Sequence, residues 1–370
     1  MTVTSVPLVD LHWQHTQVAD EVEAGFAEVL AAGNFIGGAQ VRAFELEYAD
    51  LVGVPYCVGV ANGTDALELA LRALGVGAGH EVVVPAMTFV ATAEAVVRCG
   101  ATPVFVDVDR DHLLIDPERI EPALTRRTRA IIPVHLHGQL APMEAVLETL
   151  GRRHIRVVED AAQAQGASRH GRPAGGYGHA AGTSFYPGKN LGAYGDAGAV
   201  LTMSDQLAQR VRLLANHGEA RKYDHVEVGV NSRLDTLQAV VLRAKLARLT
   251  TWNALRVEAA ERYDELLSGL DQVVRPRVAP GNNHVWHLYA VRMPHRDRVL
   301  EQLREAGVGV GVHYPRPVHL QPAFRWLGRG PGSYPVAEDA AASMLSLPLF
   351  PGITAAQQER TAEALAKALR

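Results

Sequence analysis

The sequence predicts an α/β fold in which a large domain with a mainly parallel, mixed sheet precedes a smaller C-terminal α+β domain. Short β-branched segments alternate with helical ones through most of the chain, which is typical of parallel sheets. From about Trp252 this alternation gives way to fewer strands between helices. The 370 residues also exceed what one small core organises. We therefore expect a large domain over residues 1–250 and a smaller one over residues 251–370.

The predicted elements follow from apolar runs and from helical spacing of apolar residues. In the large domain we predict strands at 57–60, 81–85, 103–108, 130–134 and 156–158, with helices at 15–32, 41–51, 64–74, 91–99 and 234–249. In the smaller domain we predict strands at 287–292 and 309–313, with helices at 297–306 and 355–369. Ligands of such sheets bind at the carboxyl ends of the strands, so functional residues are expected there.

Composition excludes several classes of function. The net charge of −4 gives no basic footprint for nucleic acid, and no apolar run reaches the ~18 residues of a membrane span. Residues 1–10 lack the pattern of a signal peptide. Cys57 and Cys99 stand far apart, which favours reduced, mostly buried thiols in a cytoplasmic protein over a disulfide. No spacing of ligands indicates a metal site.

The most informative stretch is Gly182-Thr-Ser-Phe-Tyr-Pro-Gly-Lys-Asn-Leu-Gly192, in which Lys189 stands among small and apolar neighbours. Burial lowers the pKa of a lysine, and the neutral amine can attack an aldehyde. Taken alone, such a lysine is more often a solvated surface residue. The stretch is not a phosphate loop, because its spacing is wrong and Asn190 replaces the Ser or Thr. Residues 307–311 likewise miss the dinucleotide fingerprint, since position 312 is valine and a strand follows.

Asp160 closes an apolar strand and is a candidate partner for a protonated ring nitrogen. A carboxylate in that position keeps a pyridine ring protonated, which makes the ring an electron sink. The alternative is that Asp160 caps a helix that follows it.

Further candidates lie in other segments, and those at 63–64 and 89 follow predicted strands. Gly63 and Thr64 open a helix whose amide groups are suited to a phosphate, and Ser184 is a second phosphate donor. Phe89 is placed to stack on a flat ring. The alternatives are helix capping at 62–64 and an ordinary core position for Phe89. Together, in this chain order, these residues indicate an enzyme of the aspartate-aminotransferase type that uses pyridoxal-5′-phosphate (PLP).

The sequence resembles the DegT/DnrJ/EryC1/StrS family of sugar aminotransferases, from Gly33-Asn-Phe-Ile-Gly37 to Ser346-Leu-Pro-Leu-Phe-Pro351. The resemblance implies the aspartate-aminotransferase-like fold (PLP fold type I) and a homodimer with shared active sites. It also implies PLP as cofactor, with pyridoxamine-5′-phosphate (PMP) as its aminated form. The resemblance implies that Lys189 bonds covalently to PLP, that Asp160 pairs with the ring nitrogen, and that Phe89 stacks on the ring. It implies that Gln163 lies beside the ring hydroxyl and that Gly63, Thr64 and Ser184 hold the phosphate. Asn231 is implied to reach the phosphate of the PLP in the neighbouring subunit.

A finer resemblance concerns the substrate. The segment 185–198, Asn231-Ser-Arg-Leu-Asp235 and His313-Tyr-Pro-Arg-Pro-Val-His319 resemble the branch that aminates nucleotide-linked 3-keto-6-deoxyhexoses, dTDP-linked sugars first among them, with glutamate as the amino donor. A 4-keto sugar or a cyclitol ketone remains the alternative. Candidate substrate contacts are Tyr186, His217, Lys222, Arg233, His313, Tyr314, Arg316 and His319.

Other classes of function stay open but are disfavoured. Sugar dehydratases of this family replace the lysine with histidine, and a regulatory relative is expected to lose Lys189 or Asp160, whereas both are present. A dimeric module that holds PLP as a structural element differs from the enzyme only in activity.

Overall fold

The computed structural model of the protein describes residues 5–370. Its strands are β1 (Tyr56–Val60), β2 (Glu81–Pro85), β3 (Thr102–Val106), β4 (Thr128–Ile131), β5 (Arg156–Asp160), β6 (Ser168–Arg169), β7 (Arg172–Pro173), β8 (Ala180–Ser184), β9 (Gly198–Thr202), β10 (Glu219–Arg221), β11 (Asp224–His225), β12 (Asn282–Asn283), β13 (Tyr289–Arg292) and β14 (Met344–Leu347).

The helices cover both faces of the sheets. They are α1 (Leu11–Thr16), α2 (Ala19–Ala32), α3 (Gly38–Val52), α4 (Gly63–Ala73), α5 (Val90–Arg98), α6 (Ile120–Ala123), α7 (Met143–Leu150), α8 (Asp205–Ala215), α9 (Thr236–Leu246), α10 (Leu249–Leu266), α11 (Arg296–Glu305), α12 (Pro335–Ser343) and α13 (Ala355–Ala368). Short 3-10 turns lie at Pro117–Arg119, Leu136–Gly138, Val318–Leu320 and Pro322–Leu327.

The main sheet has seven strands in the order β1-β9-β8-β5-β4-β2-β3. Strands β3, β2, β4, β5 and β8 run parallel to one another, while β9 pairs antiparallel with both β8 and β1. The mainly parallel, mixed sheet of the prediction is therefore confirmed. Its parallel strands β2, β5 and β8 end on the same edge, and this edge carries the residues that the sequence singled out.

A second set of elements follows the main sheet. Strands β13 and β14 form an antiparallel pair that packs with α10, α11 and α13 around its own apolar core. Buried residues between 318 and 344, including Phe324 and Met344, contribute instead to the core of the main sheet. The boundary near residue 250 falls at the start of α10 and stays a prediction.

The strand predicted at 309–313 is wrong. That segment makes one isolated bridge, Gly311 with Ser346, and Val308 just before it bridges Val6. A side chain at Gly309 has no room, because its Cβ would lie 2.6 Å from the backbone nitrogen of Leu8. The partner of β13 is β14, which the sequence analysis did not predict. The helix predicted at 15–32 is also divided, since the chain turns at residues 17–18 between α1 and α2.

Within residues 5–370, no helix combines the length and the apolarity needed to cross a membrane. Cys57 is buried and Cys99 is partly buried, and both thiols are free.

Glu159 connects the end of β5 to the turn at 174–178. Its carboxylate accepts hydrogen bonds from the backbone N–H groups of Gly175, Tyr177 and Gly178 and from Nε2 of His135. The N–H of Ala141 donates to Nδ1 of His135, so the ring proton lies on Nε2 and points at Glu159. Burial alone would raise the pKa of Glu159, but His135 and these N–H groups outweigh burial and lower it.

We expect Glu159→Gln to lower the free energy of unfolding by roughly 3 kcal/mol at pH 7, because an amide NH₂ then faces buried N–H donors. The pKa of Glu159 is lower in the folded protein, so its stabilisation is present above the unfolded pKa and lost as the pH falls through the folded one. Urea denaturation at pH 7 and at pH 4 measures both effects. Glu363→Gln, at an exposed position, is the control. Equal stability of the two variants at pH 7 would contradict this role.

Candidate active site

A cavity of about 430 Å³ lies at the carboxyl edge of the main sheet. The segments that follow β1, β2, β4, β5 and β8 contribute to it, and residues 287–314 of the C-terminal part close the far side. Its functional side chains and glycines are Asn62, Gly63, Thr64, Thr88, Phe89, Asp160, Gln163, Ser184, Tyr186, Lys189, His287, His313 and Tyr314. Chemistry rather than size singles this cavity out, because an outer cleft of about 680 Å³ holds no lysine.

The first wall is the start of α4. Asn62 caps this helix, since its Oδ1 accepts the N–H of Asp65 at 2.8 Å. The capping alternative is thus present in the structure, and Gly63 and Thr64 still face the cavity. A Cβ on Gly63 would lie 2.6 Å from Cβ of Ser184, so only glycine allows this approach. Free amides and two hydroxyls therefore converge at one end of the cavity, where an anion such as phosphate fits.

Asp160 forms the floor. It is 6% exposed at the end of β5, and a turn rather than a helix follows it, so it does not cap a helix. Its Oδ2 accepts the hydroxyl of Thr92 at 2.7 Å, and its Oδ1 accepts the N–H of Ala162 at 3.2 Å. Burial raises the pKa of Asp160, and both hydrogen bonds and the Lys189 charge act against this rise. A cationic ring nitrogen supplies the charge partner that such a buried carboxylate lacks.

Lys189 lies in the loop after β8. The protein encloses it, and the surface that it does expose faces the cavity. Burial lowers its pKa from 10.5 to about 8, although the charge of Asp160 acts in the opposite direction. At pH 7 this shift raises the share of neutral amine by about 300-fold.

A lowered pKa does not by itself identify the reactive lysine. Burial also lowers the pKa of Lys245 from 10.5 to about 8. The amine of Lys245, however, donates to the carbonyl of Gly192 at 2.7 Å and lies 4.6 Å from the ring centre of Tyr194. It is not among the residues that line the cavity. Lys189 is distinguished by its position.

Gln163 lies close in sequence to Asp160 and contacts Tyr314 of the C-terminal part. Its Oε1 accepts the N–H of His137 at 2.6 Å, so its NH₂ group faces the hydroxyl of Tyr314 at 3.1 Å. The ring of Phe89 lies 5.3 Å from that of Tyr314 and is 49% exposed. Phe89 is therefore not a core residue.

The sequence analysis missed His287, which also lines the cavity. Asn190 donates both its amide hydrogens, to Asn253 and to the carbonyl of Val285. Its oxygen therefore faces Nδ1 of His287 at 3.2 Å, which places the ring proton on Nδ1. Burial, followed by the charge of Lys189, holds the pKa of His287 well below its ordinary value. Burial likewise lowers the pKa of His313 to about 4. Both rings are neutral near Lys189.

Several predicted residues do not line this cavity in the single chain. They are Asn231, His217, Lys222, Arg233, Arg316 and His319. Asn231 pairs with Asn216, and Arg233 donates to the side chain of Asn216 at 3.3 Å. His319 is buried beside Phe105 and Tyr334, with Nε2 on Glu338 at 3.1 Å, which is a packing position. Among the predicted substrate contacts, Tyr186, His313 and Tyr314 do line the cavity.

Comparison with known proteins settles the family. The model of the DegT/DnrJ/EryC1/StrS aminotransferase family matches residues 16–366. The chain belongs to this family. The resemblance seen in the sequence is thereby confirmed. The chain is accordingly an enzyme, an aminotransferase.

Relatives of this aminotransferase are similar over almost their whole length. The dTDP-3-amino-3,4,6-trideoxy-alpha-D-glucose transaminase of Streptomyces venezuelae is 45% identical over 360 residues, which cover 97% of this chain and 95% of the relative. The crystal structure of S. venezuelae DesV in complex with a ketimine intermediate superimposes with a TM-score of 0.97 at 44% identity, covering 100% of both chains. The structure of ntda from Bacillus subtilis with bound cofactor PMP has a TM-score of 0.91 at 31% identity, covering 100% of this chain and 86% of that one.

The fold of this aminotransferase is accordingly that of the PLP-dependent aminotransferases, as the sequence predicted. The donor set of the cavity fits PLP: amides and hydroxyls for a phosphate, a buried carboxylate for a ring nitrogen, and an amine of lowered pKa for an aldehyde.

Proposed function

We propose that this enzyme transfers an amino group from glutamate to a dTDP-linked 3-keto-6-deoxyhexose in amino-sugar biosynthesis, with PLP as cofactor and PMP as its aminated form. The observation that carries the proposal is the meeting of Lys189, Asp160 and the amide end of α4 in one cavity. The relative at 45% identity, named for a dTDP-3-amino sugar, supports the position of amination. The free thiols of Cys57 and Cys99 favour a cytoplasmic location.

In this proposal each wall of the cavity holds one part of the cofactor. Gly63, Thr64 and Ser184 bind the phosphate, and Asp160 pairs with the ring nitrogen. Phe89 stacks on the ring, and the NH₂ group of Gln163 faces the ring hydroxyl. PLP, when bound, supplies an electron sink for the bonds at the substrate carbon that bears the amino group.

Lys189 has two roles in the proposal. Its neutral amine would hold the aldehyde carbon of PLP in the resting enzyme. Once released by substrate, the same amine would be the group that takes the proton of the substrate carbon and gives it back within the cavity. A pKa of about 8 suits both directions of this transfer, because both protonation states are populated near neutral pH. The neutral rings of His287 and His313 add hydrogen-bonding groups beside Lys189 without adding charge.

The substrate diphosphate requires cations, and no arginine lines the cavity of the described chain. Four predicted residues, Asn231, His217, Lys222 and Arg233, lie together on the segment 216–233 that includes β10 and β11. We propose that this segment enters the active site of a partner subunit in a homodimer, where Asn231 reaches the cofactor phosphate. Its apolar side chains support this proposal, since Tyr223 is 82% and Val228 85% exposed, as is typical of a protein interface. Arg316 is exposed close to Tyr314 and remains a second candidate cation.

The test is a spectral titration of the purified, PLP-loaded enzyme. The second half-reaction run backwards converts PLP into PMP, so the visible band of the lysine-bound cofactor fades when the correct amino sugar is added. We expect fading with glutamate and with a dTDP-3-amino-6-deoxyhexose, but not with the 4-amino isomer. Fading with the 4-amino sugar alone would overturn the position of amination. A band that neither amino sugar nor glutamate changes would overturn the proposed reaction.

A further inference from the structure

Two buried hydroxyls lie beside Asp160, that of Thr88, which lines the cavity, and that of Thr92, which does not. Thr92, on the first turn of α5, donates to Oδ2 of Asp160 at 2.7 Å. Oγ1 of Thr88 lies 2.7 Å from Oγ1 of Thr92. Thr92 is 0% exposed and Thr88 is 2% exposed, so no water substitutes for either contact. Neither residue follows from the sequence motifs or from the proposed reaction.

The directions of these hydrogen bonds are fixed by counting protons. A hydroxyl has one hydrogen, and an ionised carboxylate only accepts. The hydrogen of Thr92 is therefore used at Asp160, and the hydroxyl of Thr88 has to donate to Thr92. A proton on Oδ2 would make the carboxyl the donor and reverse the chain, so the direction Thr88→Thr92→Asp160 is the one that fits the ionised carboxylate.

A threonine inside a helix ordinarily bonds back to a carbonyl four residues earlier. Thr92 instead uses its hydroxyl for the side chain of Asp160 on β5, and it accepts from the side chain of Thr88. Charge-assisted hydrogen bonds are about twice as strong as neutral ones, and a donor that is itself an acceptor is strengthened further. The arrangement therefore stabilises the charge and also fixes the direction of the carboxylate.

The other titratable groups that act on Asp160 are few. Lys189 and His135 favour its charge, while the charge of Asp160 disfavours ionisation of Tyr314. His135 gives its Nε2 proton to Glu159, so it offers Asp160 no hydrogen bond through that atom. Thr92 is the side-chain donor to Asp160 in residues 5–370.

We propose that Thr92, backed by Thr88, is a positioning residue that keeps Asp160 ionised and aimed at the ring nitrogen of the cofactor. This inference rests on the proposed function, since it needs PLP in the cavity. A ring nitrogen held less firmly by Asp160 loses part of its positive charge. The nitrogen that joins Lys189 to the cofactor then binds its own proton more tightly, because a nearby positive charge is weakened.

The test is a pH titration of the visible band of the PLP-loaded enzyme, with full-length variants. Thr92→Val keeps the shape and removes the hydroxyl, and Thr92→Ser restores it. We expect Thr92→Val to raise the midpoint of the titration by about one pH unit and to lower kcat by about 20-fold. Thr92→Ser should stay close to the wild type in both. Thr361→Val is the matched control, because Thr361 is equally buried in α13 and donates to the carbonyl of Gln357.

An unchanged midpoint in Thr92→Val overturns the inference, even if kcat falls, because a merely structural role does not move the midpoint. An equal shift in Thr361→Val also overturns it. If Thr92→Val fails to fold, Thr88→Val removes the donor behind Thr92 and is expected to shift the midpoint by about half a unit. A wild-type enzyme without the visible band, or with a band that glutamate does not change, overturns the proposed function itself, which separates the two failures.

Discussion

Replacing Lys189 with alanine is expected to lower kcat by about 10⁴-fold, the upper end of what one positioned proton-transfer group supplies. The reason is that no other lysine lines the cavity in residues 5–370, and His287 and His313 are weaker bases because burial lowers their pKa. The variant is also expected to lose the visible band of the lysine-bound cofactor. Binding of PMP, which makes no bond to Lys189, should change little, and this can be measured by fluorescence titration.

A second substitution distinguishes loss of the neutral amine from loss of the positive charge at position 189, and a third variant is the control. Lys189→Arg keeps a positive charge but offers no neutral amine near pH 7, and we expect it to be as inactive as Lys189→Ala. Lys367→Ala, at an exposed site in α13, is the control and should match the wild type. A Lys189→Ala variant within 10-fold of wild-type kcat, or one that keeps the visible band, would show that another group carries the reaction.

Asp160→Asn is expected to lower the rate of the glutamate half-reaction by about 10³-fold. Asparagine has nearly the same shape but no charge, so it cannot hold a proton on the ring nitrogen. At an effective dielectric near 20, a charge pair at 4 Å is worth about 4 kcal/mol before desolvation is subtracted. The variant should still bind PLP, because the phosphate and ring contacts remain, so stopped-flow spectroscopy measures the rate directly.

The matched control for this prediction is Asp271→Asn, at an exposed position of the C-terminal part. It should leave the half-reaction unchanged. Near-normal turnover in Asp160→Asn would remove the role proposed for this carboxylate. It would also remove the basis of the inference about Thr92.

The predictable parts of the site were found in two ways. Asp160 ends β5 and Gly63 follows β1, and both strands were predicted, so a rule about strand ends was enough to find these two residues. Lys189 follows β8, which was not predicted, and it was found from the small and apolar residues around it. Lys245 shows that burial of a lysine is not enough, since burial gives it the same lowered pKa without a place in the cavity.

Residues outside that rule were missed for identifiable reasons. Thr92 lies within a helix, where a buried threonine resembles ordinary packing, and its partner Thr88 lies just before that helix, so no helical spacing connects the two in the sequence. His287 precedes β13 and reaches the cavity only because the C-terminal part packs back against the main sheet. Its signal in the sequence is weak, because a single histidine before a strand is common.

The strand errors have a similar origin. A run such as 309–313 alternates glycine and valine, which fits a strand, but the close approach of residues 6–8 leaves it with one isolated bridge. β14 was missed because Met344–Leu347 follows α12 directly, and no turn residues between the two indicate that a strand begins. The position of β9 and β1 on the sheet also depends on long-range pairing that no local pattern reports.

The most direct test of the central claim is to locate the bond between the enzyme and PLP. The wild-type enzyme is loaded with PLP, reduced with borohydride to fix any carbon–nitrogen double bond, digested and mapped by mass spectrometry. The other lysines are Lys222, Lys245 and Lys367, so each possible site can be distinguished. We expect the phosphopyridoxyl group on Lys189 alone. A label on another lysine, or none at all, would contradict the assignment of this cavity as the active site.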